Sequence, residues 1–164
     1  MSRTLYAIDP GTEQSAFLSI EPDGKVSGNI LRNEVLVSIL NNGGVAGFGH
    51  LVIEEIQSYG MPVGREVFET VFWSGRFAQA WGCPGQFTWS LLPRKAVKLA
   101  LCGSPRAKDA NIRQALIDRY GGPQCVKKGG PLAGIKSHLW AALALAVTYQ
   151  EQEKALLRTM VTCV

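Results

Sequence analysis

Residues 5–17 read LYAIDPGTEQSAF. An apolar run suited to a buried strand ends on a carboxylate, Asp9, and a Pro-Gly turn follows at once. Asp before Pro-Gly is ordinary chemistry for closing a strand. A charge at the end of a buried strand is nonetheless costly unless a cation or hydrogen bonds compensate it. Asp9 is therefore either a turn residue or a ligand placed for a metal or a phosphate. What the rest of the chain brings to this strand end decides between the two.

Outward from the turn, residues 4–9 and 15–20 are expected to be strands, and Asp23-Gly24 marks a hairpin into a third strand over 25–30. Leu31, Val35 and Ile39 have helical spacing, and that helix is expected to stop at Asn41-Asn42-Gly43-Gly44. HLVIEEI, residues 50–56, reads as a fourth strand. Pro62 is placed as the first residue of a helix running to Trp81. QFTWSLL, residues 86–92, gives a fifth strand, and Pro93 opens a short helix. Ser104-Pro105 is read as the cap and first turn of a helix that ends at Gly121-Gly122. The glycine-rich stretch 121–134 is read as a mobile loop. A last helix from Ser137 to about Lys154 is apolar almost all round in WAALALAV and is expected to be buried. Three hairpin-connected strands followed by helix–strand units predict an α/β fold in one domain spanning 1–164. Its mixed five-stranded sheet, three antiparallel strands and then parallel ones, is covered by helices.

With 46% apolar and 18% charged residues, the 164-residue chain has the composition of an ordinary globular protein. No secretory pattern opens it, and the apolar stretch 139–149 is too short to span a bilayer. Cys83, Cys102, Cys125 and Cys163 show no paired metal spacing and read as reduced thiols. A cytoplasmic location without membrane contact is expected. Net charge is +4, but nine basic residues lie between Arg94 and Lys128 against only Asp109 and Asp118. That segment is +7 and the remainder −3, a one-sidedness that suggests a polyanionic partner, most often nucleic acid.

Glu54 and Glu55 end the fourth strand as Asp9 ends the first. If those strands are parallel neighbours, their carboxyl ends lie about 5 Å apart, in the crevice where such sheets bind ligands. Two bare carboxylates that close repel, and a divalent cation removes the conflict. Side chains alternate along a strand, so one of Glu54 and Glu55 shares Asp9's side; the pattern VIEE does not choose between them. His138 stands at the start of the last helix, after a candidate Ser137 cap. A neutral His there can ligate a metal, whereas the helix dipole disfavours the protonated form.

AIDPGTEQSAF, VIEE, GSPRAKDANIRQAL and SHLWAALALAVTY occur in the order and spacing of RuvC-type Holliday junction resolvases, and over residues 4–150 the chain resembles a phage- or prophage-type member. D-x-G-T phosphate loops of actin-like ATPases look similar, but those proteins need two such domains. The resemblance implies an RNase H-like fold and a crossover junction endodeoxyribonuclease that hydrolyses phosphodiesters with Mg²⁺, with Mn²⁺ substituting. It implies a metal site of Asp9, Glu54 and His138, which selects Glu54 over Glu55. A second acidic position on the last helix falls at Ala141, a departure for which Asp109 or Glu55 is a candidate replacement. Asp109 has an alternative, pairing with Arg106 or Arg113 along its own helix. Lys108 matches a family lysine, and Arg106, Lys108 and Arg113 are expected to contact DNA phosphates. Tyr59 is placed to stack on an unpaired base. Branched DNA, a four-way junction above all, is the expected partner. The apolar breadth of the 62–81 helix points to a homodimer. The rival readings are a non-catalytic junction-binding protein, which Ala141 favours, and a ribonuclease acting on structured RNA or RNA–DNA hybrids.

Overall fold

The computed structural model describes residues 3–42, 49–82 and 88–162. Five strands form one sheet: β1 (Thr4–Asp9), β2 (Gln14–Ile20), β3 (Val26–Arg32), β4 (Gly49–Glu55) and β5 (Thr88–Pro93). Their order is β3-β2-β1-β4-β5. β1, β2 and β3 pair antiparallel through the expected hairpins, and β4 and β5 join parallel to β1. The predicted mixed sheet is therefore the observed one.

Helices cover both faces: α1 (Asn33–Asn41) and α2 (Arg65–Gly82) on one, α3 (Arg94–Cys102), α4 (Asp109–Arg119) and α5 (Leu139–Thr162) on the other. Alternation along the strands divides the core accordingly. Leu5, Ala7, Val52 and Leu92 pack with α5, α4 and α3. Tyr6, Ile8, Leu51 and Ile53 pack with α1 and α2. β4 shows no polar–apolar alternation because it is central and covered on both sides. α5 lies over the middle of the sheet, where its small residues Ala142, Ala144 and Ala146 are fully buried.

Several boundaries differ from expectation, each for a local reason. α2 begins at Arg65, so Pro62 lies in the preceding loop and does not open the helix. α4 begins at Asp109, not at Ser104-Pro105; residues 104–108 form a turn closed by the Ala107 N–H on the Ser104 carbonyl, 3.2 Å. Arg106 and Lys108 therefore precede the helix. The Lys108 N–H donates to Asn111 Oδ1 at 3.0 Å, a half capping box that ends the turn. α5 begins at Leu139: Ser137 is left-handed, φ 48°, and His138, not Ser137, is the capping residue. The stretch 121–134 is no loose loop. It holds a short 3₁₀ helix at Pro123–Val126, and buried Cys125 and Leu132 anchor it to the core, joined by the Leu132 N–H on the Cys125 carbonyl at 2.9 Å. Cys102 and Cys125 are free thiols. Gly43, Gly44, Cys83, Gln86, Phe87 and Cys163 fall outside the described residues. No helix among the described residues is long and apolar enough to cross a membrane.

Candidate active site

The parallel register of β1 and β4 runs from Thr4 opposite Gly49 to Ile8 opposite Ile53. One step further along both strands stand Asp9 and Glu54. They continue the face of Leu5, Ala7 and Val52, toward α5, while Glu55 continues the face of Leu51 and Ile53, toward α2. Glu55 accepts a hydrogen bond from Gln57 Nε2 at 2.9 Å and lines a groove beside α2. Register thus separates the two glutamates, which the pattern alone left equivalent.

The turn that carries the chain away from Asp9 is fixed by α1. Asn33, fully buried at the start of that helix, donates from Nδ2 to the Gly11 carbonyl at 2.9 Å and accepts the Ser15 hydroxyl on Oδ1 at 2.7 Å. Its own N–H donates to the Glu13 carbonyl at 2.9 Å. Gly11 has no room for a side chain: a Cβ there would lie 2.3 Å from the Gln14 carbonyl oxygen. On the other side of Asp9 the start of α5 is seated on β3. A Cβ at Gly28 would meet Leu139 Cδ2 and the Phe17 carbonyl oxygen, each at 2.9 Å, so glycine lets Leu139 settle and brings His138 over the strand end. His138 Nδ1 lies 3.1 Å from Asp9 Oδ2. The His138 carbonyl accepts the N–H groups of Ala141 and Ala142.

These elements frame a cleft of ≈ 320 Å³ lined by Asp9, Glu54, Arg94, Asp109, Ile112, Ser137, His138, Trp140 and Ala141. Ala141 is on its wall, so a longer side chain at that position would reach into the cleft. Glu54 is 9% exposed. Burial pushes its carboxyl up to about 7, the charge of Asp9 adds to the rise, and Arg94 opposes it. Burial also raises Asp9, against the pull of His138 and Arg94. Two adjacent carboxyls held above their ordinary range mark a site short of positive charge.

Arg94, in sequence one of nine basic residues between 94 and 128, is the one lysine or arginine among the described residues that lines the cleft. Its Nη1 donates to Glu54 Oε2 at 3.2 Å and its Nη2 to Asp109 Oδ1 at 2.7 Å. Asp109 therefore pairs with Arg94 on a neighbouring helix, not with Arg113 on its own helix or with Arg106 in the turn before it. Arg113 lies over the Trp140 ring instead, 4.9 Å from its centroid. The nearest sequence signal for Arg94 was its place at the head of a helix after Pro93, where the helix dipole gives a cation no support. Beyond Arg94 opens a second, basic pocket lined by Tyr59, Arg94, Lys95, Lys98, Pro105 and Arg106. Tyr59 is 56% exposed and left-handed, φ 51°. Lys108 is exposed at the head of α4.

Carboxylate oxygens and an imidazole nitrogen form a donor set that suits a divalent cation such as Mg²⁺ or Mn²⁺. As placed, no three His, Cys, Asp or Glu side chains among the described residues stand together closely enough to hold one. The Arg94 guanidinium stands between Glu54 and Asp109. The residue types, their burial and their uncompensated charge fit a metal; their present spacing is that of a site bridged by arginine.

His50, buried at the opposite end of β4, is separate from this cleft. Its ring nitrogens contact the Thr88 and Ser90 hydroxyls at 2.6 and 3.0 Å, and it stacks on Tyr149. Burial pushes it down to about 4, so it is a neutral tie between β4, β5 and α5.

Comparison with solved structures finds Thermus thermophilus RuvC, with a TM-score of 0.66 over 93% of this chain and 96% of that one, at 17% identity. This chain has the RuvC fold. T. thermophilus RuvC in complex with Holliday junction substrate also matches, with a TM-score of 0.55 over 89% of this chain and 92% of that one, again at 17% identity. No protein-family model and no curated protein matches the sequence. The sheet order is that of the RuvC fold, and in this chain the cleft lies at the carboxyl ends of β1 and β4.

Proposed function

We propose that this protein is a metal-dependent endonuclease that cuts branched DNA, with the four-way junction as its principal substrate. The observation that carries the reading is the pair Asp9 and Glu54, buried side by side at adjoining strand ends, both held above their ordinary carboxyl range, next to a basic pocket. The RuvC likeness adds a structure of the same fold in complex with a Holliday junction substrate.

Asp9, Glu54 and His138 would hold the cation, with Asp109 in reach of the same cleft. Bound there, a divalent metal supplies Lewis-acid activation of a phosphodiester and of water at neutral pH. The chain's own part is positioning. Asn33 and Gly11 fix the Asp9 turn, and Gly28 and Leu139 seat His138 over it. Arg106, Lys108 and Arg113 would meet phosphates and set affinity without reading sequence. Tyr59, displayed at the edge of the basic pocket, would stack on a base left unpaired at the junction centre. A homodimer would present two such clefts to a two-fold symmetric junction.

One observation favours a non-catalytic junction-binding protein: Ala141 faces the cleft, so no side chain from the first turn of α5 adds a carboxylate. Incubation of the protein with a synthetic four-way junction, a plain duplex and an RNA–DNA hybrid, each with Mg²⁺, Mn²⁺ or EDTA, separates the readings. Metal-dependent nicking confined to the junction is expected. Asp9→Asn should abolish nicking, keep junction binding at or above the parent's, and leave the melting temperature unreduced. Tight junction binding without nicking in either metal would establish the non-catalytic reading, and preferential hybrid cleavage the ribonuclease one.

A further inference from the structure

We propose that Arg94 is a displaceable counter-ion of the acidic cleft: its guanidinium holds Glu54 and Asp109 together in the metal-free protein and gives way to a divalent cation, turning into the neighbouring basic pocket. The inference rests on the metal-dependent reading above.

Three observations carry it. Arg94 donates to both carboxylates from separate nitrogens, at 3.2 and 2.7 Å, and so stands where a cation shared by Glu54 and Asp109 would stand. Its side chain is 24% exposed, drawn inward from the first position of α3, although a cation gains nothing from the dipole there. It also lines both cavities, the acidic cleft and the basic pocket with Tyr59, Lys95, Lys98 and Arg106. Because Arg94 borders both, the exchange asks for a turn of its side chain and no movement of α3.

The electrostatic balance favours such an exchange only when something replaces the charge. Asp9, Glu54 and Asp109 share one monovalent guanidinium, which a divalent ion compensates better. The basic pocket in turn accommodates an incoming Arg94 better once a phosphate occupies it. Metal and DNA backbone therefore help each other through one side chain, and by linkage each raises the other's affinity.

Metal binding by the DNA-free protein tests this without reference to activity. Free Mn²⁺ is followed by electron paramagnetic resonance for the parent, Arg94→Gln, and Asp9→Asn as the marker of binding in the cleft. Arg94→Gln should bind Asp9-dependent Mn²⁺ roughly 5-fold tighter or more, the lower end of ordinary coupling between sites. As a second measurement on the unaltered protein, the Arg94 side-chain Nε–H resonance should shift and lose exchange protection as Mg²⁺ is added. Equal or weaker Mn²⁺ binding by folded Arg94→Gln overturns the proposal, as does an Arg94 resonance unmoved at saturating Mg²⁺. Absence of Asp9-dependent Mn²⁺ binding in both parent and Arg94→Gln overturns it too, since removing the guanidinium then opens nothing. In that case the metal-dependent nuclease reading still stands or falls separately, on the nicking assay.

Discussion

Glu54 carries an electrostatic conflict that the fold does not relieve. It sits on a central strand, 9% exposed, beside Asp9, and only Arg94 opposes the resulting rise in its pKa to about 7. A carboxyl with a folded-state pKa above its unfolded value binds its proton more tightly in the native state. Its contribution to stability is then complete below the unfolded value near 4.5 and is lost as pH rises through about 7. In the metal-free protein in EDTA this lost contribution amounts to on the order of 3 kcal/mol at most between pH 4.5 and 7, and it runs against His50, whose pKa, lowered to about 4, adds stability as pH rises through most of the same interval. The difference between parent and variant isolates the Glu54 part: relative to Glu54→Gln the parent should lose stability as pH rises from 4.5 to 7, and Mg²⁺ should remove that difference. Denaturant titrations at half-unit pH steps measure both. A parent whose stability relative to Glu54→Gln stays constant or rises over this interval would mean that Glu54 is compensated by something other than a metal.

At the scale of elements, α3 and α4 bring the basic segment to the rim of the cleft. Arg106 lines the basic pocket, and Lys108 precedes α4 on an exposed turn. Neither has a carboxylate partner among the ion pairs of the described residues, so each is available to a phosphate. Arg106→Ala and Lys108→Ala should each weaken junction binding and reduce the salt slope of log K by about one. An unchanged slope in both would place the DNA elsewhere. The same two helices show where sequence reading succeeds and where it ends. The hairpin succession of β1, β2 and β3 and the position of Asp9 were legible because hairpin signals and apolar runs are local, whereas the parallel pairing of β1 with β4 is not. The residue pattern did not choose between Glu54 and Glu55; the family resemblance pointed to Glu54, and the register between β1 and β4, which no single strand encodes, puts it on Asp9's side. Arg94 could not be read at all as a partner of Glu54 and Asp109. Its contacts reach 40 residues back and 15 forward, and in sequence it is one of nine similar charges. Asn33 was hidden for a similar reason. It looked like an ordinary helical residue, and only the folded turn shows it bonded to Gly11 and Ser15.

For the whole molecule the open question is the second copy. α2 buries Phe77, Ala78, Ala80 and Trp81 against the sheet, yet leaves Phe68 at 65%, Phe72 at 63% and Val71 at 47% exposure on its outer side. β5 is the sheet's edge, and its Trp89 and Leu91 are 44% and 46% exposed beside that helix. A groove lined by Val71, Ser74, Gly75, Ala78, Trp89 and Leu91 joins the two surfaces, with small residues that allow close helix approach. Scattered exposed apolar residues need no explanation, but a contiguous patch of this kind on an edge strand and its neighbouring helix is unfavourable in water. A two-fold contact through α2 would cover it, and a stable interface of this kind buries roughly 1,200 Å² or more. We therefore expect a homodimer at micromolar concentration. Phe68→Ser with Phe72→Glu should give a monomer by sedimentation equilibrium, and because both side chains face outward its melting temperature, measured at a concentration where the parent is monomeric, should be unchanged. That monomer should still bind Mn²⁺ but nick only one junction strand per encounter, where the parent makes two coordinated cuts. A parent that remains monomeric at high micromolar concentration would end the dimer proposal, and coordinated paired cutting by the double variant would show that the two clefts meet through another surface.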